Sequence, residues 1–318
     1  MTQTRVHVFY SPDYVGSAYA FETTRKAQWV ADSLAISPIE GIDLVEPPPL
    51  SWDQVAQVHD PDYVRAVQTG TPRHLAESQG FEWDPGLWPM VLSSNGGAVA
   101  AALAALEHGV SGSLSSGLHH ARRGHGAGFC TFNGLVIAAR AALAAGAESV
   151  LILDLDAHCG GGTASLIAED PRIWQVDVAV NAFDYYSVAA TPADPAGAAG
   201  RRIRLRVTQR ADQYLADIES NLEQVADRLE RFDLCLYNAG MDPFEGCSTG
   251  GFPGITREIL AARERLVFHW CRSHAKATAF VLAGGYIGWG LDAAGLVDLH
   301  RLTLSAAVGS DAGLDLLP

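Results

Sequence analysis

The 318-residue chain lacks any uninterrupted apolar run long enough to cross a bilayer, and no basic, apolar and small-residue leader opens it. A soluble protein without a membrane partner is expected. Disulfide architecture is missing as well: Cys130, Cys159, Cys235, Cys247 and Cys271 are an odd number with no framework spacing. They read as free thiols, and a reducing cytoplasm is the expected compartment. Positive charge is scarce. With 22 Lys and Arg against 36 Asp and Glu, the formal net charge of -14 excludes a general nucleic-acid binder. No internal repeat is present, which removes solenoids and propellers.

What is present is an alternation of apolar runs with helical patterns, which predicts α/β architecture: a three-layer sandwich whose central, mostly parallel sheet is covered on both faces. Expected strands are Arg5 to Tyr10, Gly112 to Ser115, Val150 to Asp154, Ile173 to Val178, Arg202 to Val207, Leu234 to Asn238 and Thr278 to Ala283. Expected helices are Arg25 to Ala35, Val91 to Glu107, Gly134 to Ala145, Ala211 to Arg231 and Arg257 to Ser273. The Pro-, Gly- and Ala-rich stretch from Ala189 to Gly200 reads as a long loop, because candidate site residues lie on both sides of it. One domain over residues 1–318 is therefore expected. Gln79 to Pro89, with Glu82, Trp83, Asp84 and Trp88, reads as a loop near the mouth of a site.

The most informative segment is LILDLDAHCGGGT, Leu151 to Thr163. A strand sends alternate side chains to one face, so Asp156 and His158 can converge on one ion with Asp154 just behind them. Carboxylate and imidazole suit zinc, and a catalytic zinc needs a third protein ligand and an open position. Asp242, at the end of the apolar strand FDLCLYNAGMDP, can reach the same sheet edge if the strands are parallel. Upstream, the glycine-rich LSSGLHHARRGHGAGFCTFNG holds His119 and His120, and paired imidazoles suit proton transfer near neutral pH. Downstream, Tyr286 follows a strand and two glycines in FVLAGGYIGWG, where a phenol can approach a carbonyl. Ligands of open α/β sheets collect beyond the carboxyl ends of strands, and every one of these residues falls there.

The order HHA…GFCxFN, DLDAHCGGGT, GMDP, GGY resembles the zinc-dependent histone deacetylase and acetylpolyamine amidohydrolase family over nearly the whole chain, including HVFYSPDYV and VHDPDYV with His59 and Tyr63. The resemblance implies an arginase/deacetylase-like fold and a hydrolase that deacylates an acyl-amine such as acetyl-lysine or an acetylpolyamine. It makes Asp156, His158 and Asp242 the ligands of one Zn2+ per chain, His119 and His120 an acid/base dyad, and Tyr286 the carbonyl-polarising phenol. Asp154 orients His119 and, with backbone carbonyls around Asp156 and His158, helps hold a structural K+. Phe129 forms one wall of an acyl-lysine tunnel, with the opposite wall among Phe183, Tyr185 and Tyr186. Arg25 matches an arginine that lines an internal product channel in some members.

Two departures stand out. Where the family commonly has His-Gly-Asn or His-Gly-Asp after the metal-binding His, this chain has Cys159, Gly160 and Gly161. Gly161 thus stands where a side chain usually hydrogen-bonds the second histidine, and His120 loses that partner unless another group replaces it. Asp177 and Ala179 stand where the family often has Ser and His, and the added carboxylate of Asp177 suits a cation site. Two rivals follow: a zinc-containing module that binds acylated ligands without turnover, and a binuclear manganese ureohydrolase, which needs bridging carboxylates that Cys159 and Gly160 do not supply. A homo-oligomer is compatible with the sequence.

Overall fold

The computed structural model describes residues 5–18, 22–187 and 202–309. Within them the strands β1 (Val6–Phe9), β2 (Ile42–Val45), β3 (Val110–Ser113), β4 (Val150–Asp154), β5 (Ile173–Ala179), β6 (Ile203–Val207), β7 (Phe232–Gly240) and β8 (Ala275–Ala283) form one sheet. Its order is β2-β1-β3-β8-β7-β4-β5-β6, and every neighbouring pair runs parallel. The expected stretch from Ala189 to Gly200 lies outside the described residues.

Strands buried on both sides explain the long apolar runs. In β4, Leu151 and Leu153 enter one apolar cluster while Val150 and Ile152 enter the other. The first cluster is roofed by α1 (Glu22–Ile36), and also by α8 (Tyr214–Ala226), α9 (Arg257–His274) and α10 (Ala293–Ala307), numbered in chain order. The second is roofed by α3 (Pro61–Thr69), α5 (Leu87–His108), α6 (Gly134–Ala144) and α7 (Gly161–Ile167). The short helices α2 (Trp52–Ala56) and α4 (Arg73–Ala76) flank α3.

Several elements go beyond the sequence reading. β2 pairs only with β1 at the sheet edge, and its half-exposed residues carry no clean alternation. α7 begins inside a run of glycines that reads as a turn, yet buries Ala164 and Ile167 against the sheet. The expected lack of a span-length apolar segment also needs correction. α5 is 22 residues long and apolar enough by length and composition to cross a membrane, although 61% of its most apolar window is buried inside the protein. It packs among β3, β8 and α6, with Ser93 and Asn95 buried, as a core helix does.

Beneath the strand ends lies a buried ionic knot. Arg263 of α9 donates from Nη1 to the carbonyls of Gly240 (2.7 Å) and Leu155 (3.3 Å), and from Nε (2.9 Å) and Nη2 (2.7 Å) to Glu264 Oε1. Tyr237 Oη donates to the same Glu264 oxygen at 2.8 Å. One guanidinium thereby fixes the two backbone turns from which Asp156 and Asp242 project.

Candidate active site

The site is assembled at the carboxyl ends of β3, β8, β7 and β4, which are adjacent in the sheet. Asp156, His158 and Asp242 are all buried, and one ligand atom from each lies within 4.8 Å of the others. His158 Nδ1 stands 3.1 Å from Asp156 Oδ1 and 3.1 Å from Asp242 Oδ2. Backbone donors hold the carboxylates from behind: His158 N–H donates to Asp156 Oδ1 (3.0 Å) and Ala157 N–H to Asp242 Oδ1 (3.0 Å). Asp242 Oδ2 accepts no hydrogen bond although it is buried. An orphaned carboxylate oxygen facing an imidazole and a second carboxylate is costly unless a cation completes it, so this donor set fits a metal ion.

Electrostatics match that reading. Burial opposes ionisation of Asp242, and Asp156 beside it adds repulsion, so its carboxyl is raised to about 6. Burial works against Asp156 too, but His119 and His158 prevail and hold it below the usual carboxylate range. His158 is lifted to about 10, burial being outweighed by the two carboxylates it faces. The room for this cluster comes from Gly284. A Cβ there would lie 2.1 Å from Asp242 Oδ1 and 2.7 Å from Asp156 Oδ2, and its φ of +45° is in the left-handed region. The first glycine before Tyr286 is thus a spatial requirement.

The two histidines of the dyad sit in different electrostatic settings. His119 Nδ1 is 2.7 Å from Asp154 Oδ2, while Asp154 Oδ1 accepts from Asn238 Nδ2 at 2.7 Å. Burial disfavours the imidazolium, but Asp154 and Asp156 raise His119 to about 10. His120 is pushed down to about 4 by burial and then by the His119 charge, against a lift from Asp184. Their Nε2 atoms are 3.1 Å apart. At neutral pH the arrangement is therefore one charged and one neutral imidazole sharing a proton path. Asn133 pins the loop that bears them, its Nδ2 donating to the carbonyls of His119 (3.2 Å) and Ala121 (3.3 Å).

Tyr286 is buried and lines the same cavity as the two histidines, with its ring 6.4 Å from that of Phe129. Burial, then Asp242 and Asp156, hold its phenol well above the ordinary value, so it stays a hydrogen-bond donor. Phe129, Phe183, Thr249 and Tyr286 line an outer cleft that also reaches His120 and His158. A second cavity continues inward past Phe129 and the dyad toward Tyr14, Ser94 and Leu114.

Of the three aromatics among which the opposite tunnel wall is expected, Phe183 is the one that lines the cleft. Phe183 lies edge-on to His120 with ring centroids 5.0 Å apart, as a wall does. Tyr185 is exposed and lines neither cleft, while Tyr186 turns inward beside Asp177. After β5 the chain does not run as a strand, so the three aromatics do not share a face. Asp177 accepts from Gly160 N–H through Oδ2 at 2.7 Å and leaves Oδ1 buried without a partner. Burial and the nearby Asp154 raise it well above the usual carboxylate range.

Arg25 is exposed, and its neighbour Lys26 is the residue that goes inside. Lys26 Nζ donates to Ser116 Oγ (2.9 Å) and Thr23 O (2.7 Å), both residues of the inner cavity wall. Burial brings its pKa to about 7 despite Asp156 and Asp242. Of the loop expected near the mouth, Phe81 stacks on Phe129 at 5.3 Å, but Trp83 turns away and donates to the Val67 carbonyl. His59 and Tyr63 serve the scaffold: His59 Nδ1 pairs with the Arg122 carbonyl at 2.8 Å, and its Nε2 accepts from Asn133 N–H at 2.9 Å.

Sequence reasoning missed Asp184 and Arg122. Asp184 Oδ2 is 3.0 Å from His120 Nδ1, and Arg122 donates to Asp184 Oδ1. Neither has a spacing signal, because they meet only through the turn that follows β5.

Residues 20–294 match the family model described as the histone deacetylase domain. An uncharacterised protein of Picosynechococcus sp. is 33% identical over 243 residues, covering 75% of this chain and 76% of the relative. Histone deacetylase 2 of Arabidopsis thaliana is 24% identical over 302 residues, covering 89% and 75%. The acetoin utilization protein AcuC of Bacillus subtilis is 28% identical over 154 residues, covering 45% and 40%. The crystal structure of the HDA15 HD domain superposes with a TM-score of 0.79 at 18% identity, covering 98% of this chain and 92% of that one, a likeness of fold.

Proposed function

This chain belongs to the histone deacetylase family, and from that premise we propose that it is a zinc-dependent amidohydrolase removing an acyl group, acetyl foremost, from a primary amine on a long aliphatic stem. Family membership and relatives named as deacetylases support the deacetylase class. The observation that carries the finer reading is the orphaned Asp242 Oδ2, grouped with Asp156 and His158 at a cavity that a histidine pair and Tyr286 also line.

Asp156, His158 and Asp242 would hold the metal. When bound, zinc supplies Lewis-acid polarisation of the amide carbonyl and a more acidic water. His120, neutral near pH 7, accepts the proton of the attacking water. His119, charged and tied to Asp154, stabilises the negative charge that develops. Tyr286 donates to the oxyanion. The protonated dyad then delivers a proton to the departing amine, which is a very poor leaving group without it. Asp154 and the partnerless Asp177 Oδ1, with carbonyls near Asp156 and His158, form the place where K+ is proposed. All five cysteines are free thiols, in keeping with a cytoplasmic setting.

Zinc-loaded protein assayed on acetyl-lysine peptides, acetylpolyamines and longer acyl-lysines tests the reading. Turnover with one zinc per chain, abolished by chelation, is expected. Asp242→Ala should lose zinc and activity together while largely keeping its fold. Full zinc without turnover would favour a binding module, and two manganese ions per chain a ureohydrolase. Among the described residues the metal-ligating trio is single, and Cys159 turns its thiol to the Asn181 carbonyl.

A further inference from the structure

His120 is oriented by a carboxylate from an unexpected place in the chain. Asp184 sits in the turn after β5, a segment tied to the metal loop by the bridge of His158 with Asn181 and by Cys159 N–H donating to the Phe183 carbonyl (3.0 Å). Its φ of 58° is left-handed, a conformation that Asp tolerates better than most residues. Its Oδ2 takes both His120 Nδ1 at 3.0 Å and Gly162 N–H at 3.1 Å. Arg122 clamps the other side, donating from Nη2 to Asp184 Oδ1 and from Nη1 to the Gly161 carbonyl at 3.0 Å. The Asp184 side chain is only 10% exposed.

Residue 161 decides whether this can happen. A Cβ built on Gly161 would stand 2.5 Å from the Asp184 carbonyl oxygen, 2.6 Å from its Oδ1 and 2.8 Å from its Cγ. A side chain at 161 and Asp184 in this position exclude each other. The gap at Gly161 and the carboxylate at Asp184 are therefore one arrangement.

We propose that Asp184, admitted by Gly161 and clamped by Arg122, is the positioning residue that keeps hydrogen on His120 Nδ1 and so turns the Nε2 lone pair toward His119 Nε2, 3.1 Å away, where the pair exchanges its proton. The proposal rests on the deacylase reading for its catalytic meaning, but the imidazole geometry is measurable without turnover. Other charged or titratable neighbours facing His120 are His119, Asp156 and His158.

The test compares Asp184→Ala, Asp184→Asn and Gly161→Ala, reading the His120 tautomer from long-range 1H–15N spectra alongside kcat, KM and melting temperature. In the starting protein His120 should be the Nδ1–H tautomer. Asp184→Ala should mix the tautomers and lower kcat roughly 10- to 100-fold with a much smaller change in KM. Asp184→Asn, which keeps an acceptor oxygen, should restore the tautomer and most of kcat. Gly161→Ala should act like Asp184→Ala, and the double variant should be no worse than Asp184→Ala alone, since both remove one contact. A pure Nδ1–H tautomer and unchanged kcat in Asp184→Ala would overturn the proposal, as would additive losses in the double variant. Should Asp184→Ala fail to fold, a tautomer unmoved in Gly161→Ala overturns it equally. Absence of turnover in the starting protein would sink the deacylase reading instead, while the spectra still decide the role of Asp184.

Discussion

Arg263 with Glu264, and Asp156 with His158 and Asp242, are two buried charge clusters that share the same backbone turns. In the first, one guanidinium meets one carboxylate and also donates to the carbonyls of Leu155 and Gly240 and to Tyr214 Oη, while Glu264 Oε2 is buried without a partner. In the second, one carboxylate oxygen again accepts nothing, but here two carboxylates meet one imidazole. The first is charge-balanced and so can act as a strut. The second is short of positive charge and gains from a cation. Comparing them teaches that burial of charge does not mark a site by itself; imbalance of buried charge does.

The largest expected effect breaks the strut. Arg263→Leu leaves Glu264 buried without its cation and should cost about 3–5 kcal/mol of unfolding free energy, read by urea titration. Replacing Glu264 by Met in the same chain should recover part of that loss, because an apolar pair leaves no stranded charge. A mild loss in Arg263→Leu would remove the strut from the comparison. Next comes a change with the opposite signature. Tyr286→Phe should reduce kcat by roughly 10²–10³ while zinc content, hydroxamate binding and melting temperature move little. Near-full turnover would deny Tyr286 its place at the oxyanion.

A smaller effect sharpens the comparison with a buried histidine that is satisfied while neutral. Burial pushes His59 down to about 4, though the Arg122 and Arg123 carbonyls favour its charged form. Between that value and an unfolded pKa of about 6.5 the unfolded chain binds the extra proton, so stability is full above this window and falls as pH drops through it. Metal-free protein should therefore lose up to about 3 kcal/mol relative to His59→Gln between pH 7 and pH 4, measured as the difference of two denaturation series. A pH-independent difference would show that His59 titrates normally.

Much of the fold was legible because strands buried on both faces leave long apolar runs, as in Val150 to Leu153 and Leu234 to Leu236. Edge strand β2 was not, since Leu44 is exposed and its neighbours are only half-buried, which breaks the pattern. At the site, Asp156, His158, Asp242, His119, His120 and Tyr286 were readable because each closes a recognisable strand or glycine turn. Asp184 was not, because nothing in NAFDYYS announces which side chain points at a histidine 64 positions away. Lys26 and Arg25 show the same limit on a helix, where one step of register separates solvent from the cavity wall.

Phe183 and Asp184 are consecutive residues, one walling the cleft and the other gripping His120. On the proposed deacylase reading, with His120 as base, shape recognition and alignment of that base would therefore not be separable modules in this chain. Grafting the turn after β5 from a relative with a side chain at position 161 would import a new wall and delete the grip at once, so a specificity redesign has to exchange residue 161 and the turn as a single unit.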